Sequence, residues 1–156
     1  MALFESVSPS DVADLTAFLR DADLTLSALD SPEVRLWVER GLNSSIMAST
    51  GFELSRDGAH ALLRSVAVAP GSRGTGVGLR SARFALARAA EVGAGRAWLF
   101  SRRSGPFWQR LGFEAAATED LAAVLPDAHQ VRHFLESGQL AREQAWSRPL
   151  PGDPRR

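Results

Sequence analysis

Val66-Ala67-Val68-Ala69-Pro70-Gly71-Ser72-Arg73-Gly74-Thr75-Gly76-Val77-Gly78 is the stretch on which the fold turns. Upstream, Ala59 to Ala69 is an almost unbroken apolar run, which predicts a strand buried on both faces and ended by Pro70. Downstream, Leu79, Ala82, Leu86 and Ala89 recur at helical spacing until Gly93 and Gly95, which predicts a helix opening directly out of the glycines. A strand, a loop of small residues and a helix N-terminus leave several backbone N–H groups converging on one point, which the helix dipole makes positive. That point suits a phosphate. Glycines let the ligand reach the backbone, and Arg73 can add a bidentate charge to a pyrophosphate. The dinucleotide fingerprint G-x-G-x-x-G is not met, because Gly74, Gly76 and Gly78 alternate and no acid lies about twenty residues on.

On the N-terminal side, Leu3 to Val7 reads as a short strand, and Ser8-Pro9-Ser10-Asp11 reads as a helix start. Val12, Leu15, Phe18 and Leu19 then form one apolar stripe of a helix reaching about Leu24. Val34, Leu36 and Val38 alternate with Arg35, Trp37 and Glu39, a strand, and Gly41-Leu42-Asn43-Ser44 turns it into a hairpin. In the partner strand Ile46, Ala48, Thr50, Phe52 and Leu54 face one way and Met47, Ser49, Gly51 and Glu53 the other, up to the turn at Arg56-Asp57-Gly58. On the C-terminal side, Ala97 to Phe100 is a short buried strand, Ser104-Gly105-Pro106 starts a brief helix through Arg110, and Phe113 to Ala117 is a further strand. Helices over Thr118 to Leu125 and Asp127 to Glu136 and a last strand over Glu143 to Leu150 complete a single domain, residues 1–150, with 151–156 as a tail.

Composition narrows the chemistry. The 156 residues contain no cysteine, no tyrosine and no lysine, so thiolate nucleophiles, cysteine zinc sites, Walker-type phosphate loops and Schiff-base chemistry are excluded. The net charge of zero hides a polarity along the chain: residues 1–60 carry a balance of −6, residues 73–110 one of +7. A cationic segment fits a polyanionic ligand, or it is the solvated face of an arginine-rich helix. No apolar run reaches the roughly 18–20 residues of a membrane span, and Met1 to Ser10 lacks a signal-peptide pattern, so a cytoplasmic protein with no membrane partner is expected.

The string Val66 to Gly78 resembles motif A of the GNAT superfamily of N-acetyltransferases, whose core is Q/R-x-x-G-x-G/A; Arg73, Gly76 and Gly78 fill its fixed positions. Phe107-Trp108-Gln109-Arg110-Leu111-Gly112-Phe113 resembles motif B, and the element order is similar to that fold over essentially the whole chain. Leu111-Gly112-Phe113, Leu125-Pro126, His133-Phe134 and Arg148-Pro149-Leu150 look most like the small arsenic-resistance-type acetyltransferases. The resemblance implies an α/β (α+β) fold, a mixed, mostly antiparallel sheet of six to seven strands splayed into a V with helices on both faces. It also implies acetyl-CoA as co-substrate and transfer of its acetyl group to the amine of a small, amino-acid-like molecule in a ternary complex. A non-catalytic acyl-CoA-binding module is the alternative, nucleic-acid binding is not expected, and a homodimer is the expected assembly.

Residue by residue, the resemblance implies that Val66, Ala67 and Val68 pair with the pantetheine arm like an added strand, with a backbone N–H there polarising the thioester carbonyl. Arg73, Gly74, Thr75, Gly76, Val77 and Gly78 would cradle the pyrophosphate, and Ser101, Ser104 and Trp108 match motif B positions that usually read Asn, a small residue and Tyr. Trp108 departs from the pattern, because an indole N–H is no acid for a departing thiolate; Ser101, Ser104, water or no acid at all are the alternatives. Glu53 is the first choice for the base that takes the amine proton, against the reading of a strand-end surface acid. His129 and His133 lie four apart without a third ligand, so no metal is expected; His60 is a strand-edge residue or a substrate contact. Arg80, Arg83 and Arg88 either reach the ribose 3′-phosphate or solvate their helix.

Overall fold

The computed structural model describes residues 4–151. In chain order its elements are β1 (Glu5–Ser6), α1 (Val12–Asp21), β2 (Val34–Arg40), β3 (Ile46–Leu54), β4 (His60–Leu63), β5 (Ala67–Val68), α2 (Val77–Glu91), β6 (Arg96–Phe100), α3 (Gly105–Arg110), β7 (Glu114–Ala116), α4 (Thr118–Val124), α5 (His129–Glu136) and β8 (Ala145–Pro149). Short 3-10 turns at Pro9–Asp11, Pro70–Ser72 and Leu140–Arg142 link them. The expected mixed, mostly antiparallel sheet forms, with eight strands in the order β1-β2-β3-β4-β6-β8-β7 and β5 beside β3. All pairs are antiparallel except β4 with β6. No helix among the described residues is long and apolar enough to cross a membrane.

Helices cover both faces. The stripe of α1 buries Leu15 and Leu19 against Val34, Leu36 and Val38 of β2 on one face, and α4 and α5 bury Leu121 and Val131 against Leu62 and Trp98 farther along it. On the other face α2 sets Ala82, Ala85, Leu86 and Ala89 against Trp37, Phe52 and Leu99. The start of α1 is held as its sequence predicts: Ser8 N–H donates to Asp11 Oδ2 at 2.8 Å, a capping box. The helix ends at Asp21, three residues early, where Asp23 takes a left-handed φ of +59°.

Two local departures from regular alternation matter for the site. A bulge opposite Glu39 and Arg40 turns Ile46 onto the α1 face, away from Ala48, Thr50 and Phe52, with which simple alternation would group it. The long apolar run from Ala59 to Ala69 is also not one strand. It breaks at Ser65, whose φ is +60°, into β4 and β5, and this is the eighth strand. Ser49 Oγ, buried on β3, donates to Ser65 C=O at 2.6 Å and pins the break. Gly51 sits beside it on β3, where a Cβ would meet Arg35 C=O at 2.3 Å, so only glycine permits this close strand approach.

Candidate active site

The break at Ser65 opens the sheet. β4 and β6 run parallel as far as the pair Leu62 and Trp98; beyond it β5 follows β3 while β6 continues beside β8, and a cleft lies between them. Ala69 N–H donates to Met47 C=O at 2.8 Å, so strand alternation turns the N–H and C=O of Val68, and of Val66, to the cleft side. That edge is free to take an extended ligand as an added strand.

One end of the cleft is the glycine loop. Gly74 and Gly76 have φ of +79° and +84°, and a Cβ at either would meet nothing within 4 Å, so their requirement is conformational. The first amide of α2 to bond back is Arg80 N–H, to Gly76 C=O at 3.1 Å, which leaves the preceding first-turn amides without intrahelical partners. The Thr75 hydroxyl donates to Ser72 C=O and ties the loop down. Arg73 lines the cleft and makes no ion pair among the described residues. Its neighbours on α2 are engaged. Arg80 donates to the buried Glu39 carboxylate at 2.7 Å, and Arg88 pairs with Glu91 at 3.0 Å while lying over Trp37 and Phe84.

The cleft holds two adjoining lobes of about 450 and 420 Å³. Val66, Ala67, Val68, Arg73, Ser101 and Ser104 line both, and Gly78 and Trp108 line the second, whereas Gly74, Thr75, Gly76 and Val77 form the turn into α2 at its end. Ser104 N–H donates to Ser101 Oγ at 3.1 Å, fixing the entry to α3. Trp108 is buried between Phe107 and Phe113, with ring centroids at 4.9 and 5.4 Å, and its indole N–H forms no hydrogen bond among the described residues.

A family model for the acetyltransferase (GNAT) family matches residues 2–113. The chain belongs to the GNAT acetyltransferase family. Solved structures share its fold at low identity. Rv2747 from Mycobacterium tuberculosis, in complex with CoA and NLQ, is 16% identical with a TM-score of 0.72, over 95% of this chain and 99% of that one. A GNAT-family acetyltransferase from Staphylococcus aureus Mu50 is 13% identical with a TM-score of 0.73, over 96% of this chain and 99% of that one. N-acetylglutamate synthase from Neisseria gonorrhoeae, complexed with coenzyme A and N-acetyl-glutamate, is 14% identical with a TM-score of 0.74; 96% of this chain covers 35% of that one, so the present chain spans about a third of its length. No curated protein matches the sequence.

Within this GNAT domain Glu53 does not stand as a free strand-end acid. Its residue is 2% exposed, its Oε2 accepts from Arg64 Nη1 at 2.9 Å, and its oxygens accept the backbone N–H groups of His129 at 2.6 Å and Gln130 at 3.1 Å. It therefore caps α5, and it lies behind the cleft wall rather than in it. Arg64 extends the link: Nη2 donates to Ser27 C=O at 2.6 Å in the loop between α1 and β2. Burial pulls the Arg64 guanidinium below its ordinary value, and the Glu53 charge opposes that pull.

Two cleft residues that sequence reasoning passed over are Thr25 and Gln130, and Arg64 is a third lining residue. Only Arg64 had a signal, a lone arginine inside an apolar run. His129 and His133 make no metal cluster among the described residues: His129 faces Glu33 at 2.9 Å and Arg132 at 3.1 Å. His60 Nδ1 accepts from Trp98 Nε1 at 3.0 Å at the far end of the parallel pair.

Proposed function

We propose that this protein transfers the acetyl group of acetyl-CoA to the primary amine of a small molecule by direct attack within a ternary complex, and that it works in the cytoplasm. The observation that carries the reading is one cleft walled by a free strand edge, Val66 to Val68, and ended by a helix N-terminus beside the unpaired Arg73. Those residues fit the co-substrate: the strand edge matches the amide spacing of a pantetheine arm, and the α2 amides with Arg73 match a pyrophosphate. When bound, acetyl-CoA supplies the thioester that is transferred.

The chain's own groups do the rest. Val68 N–H, turned to the cleft side, would stabilise the negative charge that builds on the thioester carbonyl. The amine nitrogen forms a bond to the acetyl carbon, the C–S bond breaks, the CoA sulfur leaves as thiolate and the nitrogen loses one proton to water in the cleft. Trp108 closes the apolar floor of the cleft rather than acting as an acid. Glu53 acts as a positioning residue: with both oxygens bonded, it holds α5 and, through Arg64, the Ser27 loop against the cleft. An amino-acid-like acceptor, as in the arsenic-resistance-type enzymes, is the small molecule we favour.

Calorimetric titration with acetyl-CoA, beside a Gly76→Glu variant, tests the reading. Binding by the wild type, loss in the variant, and release of free thiol with a panel of primary amines support it; absence of binding in both overturns it. The sealed Glu53 favours a second reading, an acyl-CoA-binding module without turnover, for which the result would be tight binding and no thiol release with any amine.

A further inference from the structure

Gln130 lies in the second position of α5, 8% exposed, and lines both lobes of the cleft. Its backbone N–H is spent on Glu53 and its side-chain Nε2 donates to Thr25 Oγ1 at 3.2 Å. Its Oε1 is buried and has no hydrogen-bond partner. A buried carbonyl oxygen without a donor loses its hydration and gains nothing in return, so such an atom in the wall of a cleft marks a place where a ligand supplies the donor.

The arginines that line the cleft beside it each face a carboxylate. Arg102 pairs with Glu143 at 3.4 Å, Arg103 with Asp23 at 3.2 Å, and Arg64 with Glu53 at 2.9 Å. Arg73, at the other end, is taken up by phosphate in the function proposed above. Gln130 adds a neutral hydrogen-bonding group to that wall.

We infer that Gln130 is the acceptor-amine subsite. Its Oε1 accepts one N–H of the attacking nitrogen, and Thr25 holds the amide plane by taking the Nε2 hydrogen. The nitrogen lone pair is thereby turned toward the thioester, and the subsite takes the primary amine of the acceptor. Burial of Gln130 on a helix whose start is fixed by Glu53 and Arg64 gives that oxygen a set position. The inference rests on acetyl-CoA occupying the same cleft.

The test needs no knowledge of the natural acceptor. The probe is CoA joined through its sulfur to N-ethylacetamide, CoA–S–CH2–CO–NH–CH2CH3, whose amide N–H occupies the place of the acceptor nitrogen; plain CoA is the reference. The wild type is expected to bind the conjugate at least tenfold more tightly than CoA. Gln130→Met, matched in length and apolar, is expected to lose that tenfold gain while binding CoA as before, which also shows that it is folded. Gln130→Glu keeps an accepting oxygen and is expected to retain the gain. Equal affinity of the wild type for the conjugate and CoA, an unchanged gain in Gln130→Met, or equal loss in both variants would overturn the inference. Failure of the wild type to bind CoA at all would instead remove the proposed function beneath it. If Gln130→Met does not fold, Thr25→Val, which releases the amide plane, is read in its place with loss of the gain expected.

Discussion

Arg64 and Glu53 form a buried ion pair at 2.9 Å, with side chains 0% and 3% exposed, and each partner carries the link onward: Arg64 to Ser27 C=O, Glu53 to two amides of α5. Breaking one side of such a pair leaves an uncompensated interior charge, at a cost of about 3–5 kcal/mol. Glu53→Gln is therefore expected to lower the unfolding free energy in urea by that order, and Glu53→Gln with Arg64→Met to recover part of the loss. The positioning role also has a kinetic mark. With a working acceptor, the acid limb of the pH–rate profile of Glu53→Gln stays where the wild type has it, although the rate falls. Disappearance of that limb would return Glu53 to the role of base.

Arg73 is the cation at the glycine loop that no carboxylate of the described residues answers. A charge-assisted hydrogen bond is worth about 1.5–3 kcal/mol, so Arg73→Ala is expected to weaken acetyl-CoA binding about ten- to a hundredfold. Acetyl-pantetheine, which lacks the phosphates, should bind wild type and variant alike in the same calorimetric titration. Equal weakening of both ligands would place Arg73 elsewhere than on the pyrophosphate.

Asp11 carries the pH dependence that the fold makes legible. Its carboxylate accepts Ser8 N–H at 2.8 Å and faces Arg40 Nη2 at 2.7 Å, and these bonds, the Ser8 one first, hold its pKa below the usual aspartate value. A depressed folded value means that the stabilisation is complete above the unfolded value, about 3.9, and is lost as pH falls through the folded one. Asp11→Asn should be less stable than wild type near neutrality, and the gap between their melting temperatures should close as the pH is taken below about 4. A gap that persists unchanged to pH 2 would assign the loss to packing.

Much of this was written in the chain. The alternating run at Val34 to Glu39, the stripe of Val12 to Leu19 and the glycines from Gly74 to Gly78 each state their element through local sterics and periodicity, which depend on neighbours in sequence alone. The cleft residues from Val66 to Trp108 were legible for the same reason, since two short motifs hold them. Sequence did not reveal the break at Ser65, because the left-handed φ of a serine is stabilised by a buried hydroxyl sixteen positions away, Ser49. Nor could it show what becomes of Glu53 or Gln130. A glutamate before a turn has the same local pattern whether water or an arginine meets it. Tertiary packing brings Arg64 and the start of α5 onto that one carboxylate, and this long-range meeting of charge and helix end makes Glu53 a buried anchor and leaves the Gln130 oxygen in the cleft without a donor.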